Sequence, residues 1–224
     1  MGAQRDQYER WFANRRGPRN AADEAAALKA ADAYDVMVSQ GSPSNPKLDT
    51  LVVTAANPHR LVWNCAVDLL CKCLQRWPNV ADTIGAMMND RSSTARFSAM
   101  CCLKAYMPEH TADRMIRAGL SDKSGQVRWK AGEAANRLKR VEFVPALARC
   151  VAAEKPGRAR RSLEHSLQML RDGYILNPMS DGTYSLWIDT AQGSAGKSVT
   201  DEEMRSKGIE ALVSEFRSAE TAGN

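Results

Sequence analysis

Between Lys47 and Arg171 the hydrophobic and polar positions of the chain return in one register every 32 or 33 residues. The stretch Asp90-Arg-Ser-Ser-Thr-Ala-Arg-Phe-Ser-Ala99 reappears as Asp122-Lys-Ser-Gly-Gln-Val-Arg-Trp-Lys-Ala131, and again, more loosely, as Glu154 to Leu163. One step earlier the same slot holds Asn57 to Ala66. After each polar turn the apolar positions fall at offsets 0, 4, 7, 8 and 11: Ala95, Ala99, Cys102, Leu103 and Tyr106; then Val127, Ala131, Ala134, Ala135 and Leu138; then Ala159, Leu163, Ser166, Leu167 and Leu170. Those offsets mark one face of an α-helix.

A shorter helix precedes each of these, over Lys47–Ala56, Val80–Met88, Thr111–Gly119 and Phe143–Ala153. Asn45-Pro46 opens the first as a cap residue followed by proline. Each unit is thus helix, turn, helix. One hairpin cannot bury its apolar face alone, so the units are expected to stack.

The flanks break the period. Asn20 to Gln40 predicts one capping helix, started by Asn20, ended by Gly41 and striped by Ala27, Ala31, Tyr34 and Val38. Gly41 to Pro46 is a linker. Before it, Tyr8, Trp11 and Phe12 sit among arginines, which suits an arm on nucleic acid or a helix packing one aromatic edge. After Arg171, Gly173–Pro178 and Thr183–Ile188 read as two strands of a hairpin turning at Met179–Gly182. Thr200 to Glu203 is a capping box opening a terminal helix with Met204, Ile209, Leu212, Val213 and Phe216 on its apolar side. The last few residues are expected to be disordered. The predicted organisation is residues 1–46, arm and capping helix; 47–172, four hairpins; 173–224, hairpin and helix.

The phrase Asp-x(5)-Arg before an Ala-rich second helix, in Asp90 with Arg96 and Asp122 with Arg128, resembles the HEAT repeat family. The likeness covers somewhat over half the chain. Asn57 and Trp63 depart from it in the first unit, Glu154 and Arg160 keep its chemistry in the last, and the short period matches the compact bacterial variety. The resemblance implies a mostly α fold, an α-α superhelix (a HEAT-like solenoid) with the small C-terminal β-hairpin and helix appended. It also implies that Asp and Arg bridge adjacent repeats and that the second helices line a concave binding face.

Composition narrows the function. A formal charge of +5 and a pI near 8.9 are mildly basic, below a dedicated nucleic-acid binder but suited to an acidic partner. No run of 18 apolar residues predicts a membrane span, and the polar first twenty residues lack the apolar core of a secretory signal. The six cysteines fall in helical patterns and read as reduced thiols of a cytoplasmic protein. Ala191 to Ser198 fits the loose phosphate-loop pattern, yet no βαβ unit surrounds it, so it reads as a flexible connector. His59, His110 and His165 are dispersed, and no catalytic set, metal site or cofactor is expected.

The outward columns of the second helices supply the candidate partner-binding residues: Asn64, Phe97, Trp129 and Arg161; then Asp68, Glu133 and His165; with Lys104 and Arg137 toward the end of the face. Exposed aromatics flanked by charge are what binding hot spots are made of. Phe97 and Trp129 could equally pack on neighbouring elements. A basic concentration from Arg137 to Arg161 favours a partner with an acidic patch. The expected function is a non-enzymatic adaptor or inhibitor, such as one neutralising a cognate enzyme or toxin. The alternative is a nucleic-acid-binding protein akin to the HEAT-like DNA glycosylases, with Trp129 and Glu133 as the comparable pair.

Overall fold

A computed structural model describes residues 2–14, 20–190 and 193–222. The chain is mostly helical, with one small antiparallel sheet, and divides into two compact units, residues 1–134 and 135–224.

The first unit runs α1 (Ala3–Ala13), α2 (Ala21–Gln40), α3 (Asn45–Ala55), α4 (Arg60–Arg76), α5 (Val80–Ala86) with a 3-10 turn at Met87–Asn89, α6 (Ser93–Cys101), α7 (Glu109–Leu120) and α8 (Gly125–Arg137), whose last residues fall in the second unit. The Asn20 side chain accepts from the Ala22 amide at 3.0 Å, and Gly41 ends α2 at φ 72°. The stripe expected on α2 is too narrow. Tyr34 and Val38 are only half-buried, whereas Ala30, Ala33 and Met37 are buried as well. The cause is that α1, α3 and α4 all pack on α2, and alanine lets several backbones approach. Asn45 lies inside the first turn of α3, with Ser44 as its cap residue.

The N-terminal arm is a helix. Tyr8 and Phe12 are buried. Asp35 of α2 caps α1 from outside, accepting from the amides of Gln4 at 3.1 Å and Arg5 at 3.0 Å. Gly2 passes so close that a Cβ there would fall 2.1 Å from the Asp35 carboxylate. Arg15 to Arg19 lie outside the described residues.

The polar turns repeat in detail. Asn57, Asp90 and Asp122 each accept, through Oδ1, from the amide two residues on, at 2.7 Å in all three. Arg96 and Arg128 each donate to the carbonyl six residues back, on Asp90 and Asp122. Arg96 also reaches across to Asp122 with a bidentate pair, Nε to Oδ2 at 2.6 Å and Nη2 to Oδ1 at 3.0 Å. The second helix of the middle repeat, however, stops at Cys101. Tyr106, expected on its buried face, is 41% exposed, and Lys104 lies in the connector. A helix continued to Tyr106 would leave a single residue before Pro108, the cap position of α7, and proline disfavours a helical residue ahead of it. Helix α7 is held close to both neighbours. A Cβ on Gly119 would meet the Ala131 Cβ at 2.7 Å and the Met100 sulfur at 2.8 Å.

The second unit contains a 3-10 turn at Val141–Phe143, α9 (Val144–Ala153), α10 (Arg158–Asp172), β1 (Tyr174–Pro178), β2 (Tyr184–Thr190), β3 (Gly193–Val199), α11 (Asp201–Lys207) and α12 (Ile209–Ala222). Arg160 repeats the carbonyl bond of the other arginines, to Glu154 O at 3.3 Å. The sheet order is β1-β2-β3, with Leu176 opposite Leu186 and Leu186 opposite Lys197. Alternation puts Leu186, Ile188 and Val199 on one face, where Leu212 and Val213 of α12 complete a small core.

Two expectations for this unit are corrected. The stretch read as a flexible connector is strand β3, although Ala191 and Gln192 lie outside the described residues. Its glycines conceal it: Gly196 lies under the Trp187 ring, where a Cβ would come within 2.9 Å of Cδ2. The expected single terminal helix is two, broken at Gly208 with φ 76°. The capping box of Thr200 and Glu203 forms as expected, with amide-to-side-chain bonds of 3.1 and 2.8 Å. Residues 223 and 224, expected to be disordered, lie outside the described residues.

Candidate functional site

Two features of the first unit gather the candidate residues. One is a row of rings. Trp63 of α4 meets Phe97 of α6 edge-on at 5.5 Å between centroids, and Phe97 meets Trp129 of α8 at 6.1 Å. All three are half-buried, so the row is packed along its length yet keeps an accessible rim. Such pairs contribute about 0.5–1.5 kcal/mol beyond burial. Trp63 was not among the expected residues, because the 33-residue step sets it against Arg96 rather than Phe97. Its bulk in a slot otherwise held by arginine is the signal that marks it.

The other feature is an open groove of about 310 Å3 where α1 crosses α4, lined by Tyr8, Trp11, Leu61, Asn64, Cys65 and Asp68 among others. The Tyr8 hydroxyl donates to Asp68 Oδ2 at 2.9 Å, and Lys72 meets the same oxygen at 2.8 Å. Burial, and then the Asp68 charge, push both the Tyr8 phenol and the Cys65 thiol up, the thiol to about 11. Both therefore stay neutral near pH 7. Trp11, 43% exposed, stands at the rim.

The expected residues fall in several places. Asn64 and Asp68 are exposed on α4 and line the groove. Phe97 and Trp129 belong to the ring row. Glu133, one turn beyond Trp129, is paired with Lys130 at 2.8 Å. Lys104 is half-buried in the connector after α6. Arg137, Arg161 and His165 are exposed in the second unit, the last two on α10. The contribution of α1 to the groove is absent from the repeat pattern, because α1 lies outside the repeats.

The cysteines are all free. Burial raises Cys73 to about 12. Cys71 and Cys102 share a thiol hydrogen bond that lowers the first and raises the second. His59, His110 and His165 are exposed. Among the described residues no three His, Cys, Asp or Glu side chains converge as metal ligands, and no helix is long and apolar enough to cross a membrane.

Comparison with family models, with curated proteins and with solved structures found no match to this chain.

Proposed function

We propose that this chain is a non-enzymatic, HEAT-like helical-repeat scaffold, an adaptor or inhibitor that grips a protein partner across the second helices of its hairpins. The observation that carries the reading is the row Trp63–Phe97–Trp129, three rings from three successive second helices, the first pair meeting edge to face and the second tilted. Large, rigid aromatics with an accessible rim give binding area at little entropic cost. The repeated turns at Asn57, Asp90 and Asp122 and the Arg96–Asp122 bridge support the helical-repeat part of the reading. The exposed Arg149, Lys155 and Arg161 of the second unit suit an acidic patch on the partner. Six free thiols accord with a cytoplasmic setting.

The test is capture from native lysate, with nuclease, by the full chain and by a Phe97→Ala/Trp129→Ala variant. A protein retained by the first and lost by the second, with a drop of about 2 kcal/mol or more in affinity, is the expected result. A partner that binds both equally overturns the reading. Nucleic acid recovered without nuclease and released by salt would favour the glycosylase-like alternative, in which Trp129 and Glu133, one turn apart on α8, would face a base.

A further inference from the structure

We propose that the groove between α1 and α4 receives a lysine side chain of the partner protein. This rests on the reading of the chain as a protein-binding scaffold, but on residues separate from the ring row.

The groove joins three chemistries. Leu61 and Cys65 give an apolar floor, Tyr8 and Trp11 give aromatic walls, and Asp68 supplies a carboxylate. Ring faces and a carboxylate both attract a cation, and partial removal from water strengthens that attraction. The neutral Cys65 thiol and Tyr8 phenol add no competing charge. Lys72, four residues beyond Asp68, balances part of the negative charge. A bare inorganic ion is therefore held weakly, and the favoured ligand is one that also buries hydrocarbon against the floor.

The oxygen atoms of Asp68 separate lysine from arginine. Tyr8 and Lys72 both use Oδ2, and among the described residues Oδ1 has no hydrogen-bond partner. A guanidinium fork needs both carboxylate oxygens for its bidentate geometry, whereas an ammonium is a point charge that one oxygen satisfies. The four methylenes of lysine lie along Leu61 and Cys65, and the exposed Asn64 amide stands where the partner backbone passes.

The test uses the full chain, 15N-labelled, titrated with Nα-acetyl-lysine N-methylamide while the Trp11 indole N–H resonance is followed. The neutral norleucine and the arginine analogues serve as comparisons. Saturable binding of the lysine compound, tighter than either comparison by roughly fivefold or more and reduced to the norleucine level by Asp68→Asn, is the expected result. Trp11→Ala, at the rim, should weaken lysine binding too, with the fold of the variant checked from its amide spectrum. It decides the matter if Asp68→Asn loosens α1. Equal binding of norleucine, equal binding of arginine, an unchanged lysine affinity in both variants, or no saturable shift would each overturn the proposal. Partner capture through Phe97 and Trp129 is scored separately, so the groove and the scaffold reading can fail independently.

Discussion

Arg96 and Arg160 occupy the same slot in the repeat and make the same bond to a carbonyl six residues back, yet they do different work. Arg96 is 4% exposed. Its three nitrogens are all engaged, two by the Asp122 carboxylate of the next turn and one by the carbonyls of Asp90 and Arg91. Arg160 lies half in solvent and pairs with Glu164 on its own helix at 2.9 Å. The difference lies in the next element of the chain. Beyond Arg96 comes a further turn carrying an aspartate, whereas beyond Arg160 and its helix comes a sheet. The same arginine is a bridge inside the repeats and a surface residue at their end.

The comparison is broken most severely at Asp122. Asp122→Ala strands a buried guanidinium and should cost about 3–5 kcal/mol in urea unfolding of the first unit. Glu164→Ala, removing the partner of the surface arginine, should cost less than about 0.5 kcal/mol. The pH dependence sharpens the same contrast. Burial alone would raise the Asp122 carboxyl, but the hydrogen bonds from Arg96 and the Ser124 amide outweigh it and hold it below the ordinary carboxylate range. Its contribution is therefore full above the unfolded pKa and fades as pH falls through the lower folded value. The acid limb of the stability curve should flatten in Asp122→Asn. Next in size, Gly119→Ala should cost about 1–3 kcal/mol by driving α7 off Met100 and Ala131. Adding Ala131→Gly should return part of that loss. In the second unit, Thr200→Ala removes a capping box and should lower its melting stability by about 1 kcal/mol.

Legibility in the sequence tracked local chemistry. Helix α2 could be placed because Asn20 and Gly41 act within one turn, and the turn-forming Asn57, Asp90 and Asp122 could be aligned because their side chains bond two residues away. The features that escaped were decided by distant partners. Strand β3 is a strand because Trp187 covers its glycine, and nothing in Gly-Ser-Ala-Gly announces that. The burial of Ala30 and Ala33 depends on the packing of α1, α3 and α4 on α2, and the docking of α1 on α4 through Tyr8 leaves no periodic trace. The candidate residues show the same division. Phe97 and Trp129 came from the repeat register and Tyr8 and Trp11 from their setting among arginines, whereas the contact of Trp63 with Phe97 and the groove that Tyr8 and Trp11 share with α4 became visible only once helices were placed side by side.

The cap that Asp35 lends to α1 bears on how the molecule is handled. The junction tolerates no side chain at position 2, where a methyl group would collide with the carboxylate. A fusion whose scar replaces Gly2 with any larger residue would therefore unseat the first helix and with it one wall of the groove. A purification handle ahead of the chain should therefore leave Gly2 in place, so that Asp35 keeps its hold on the first turn of α1.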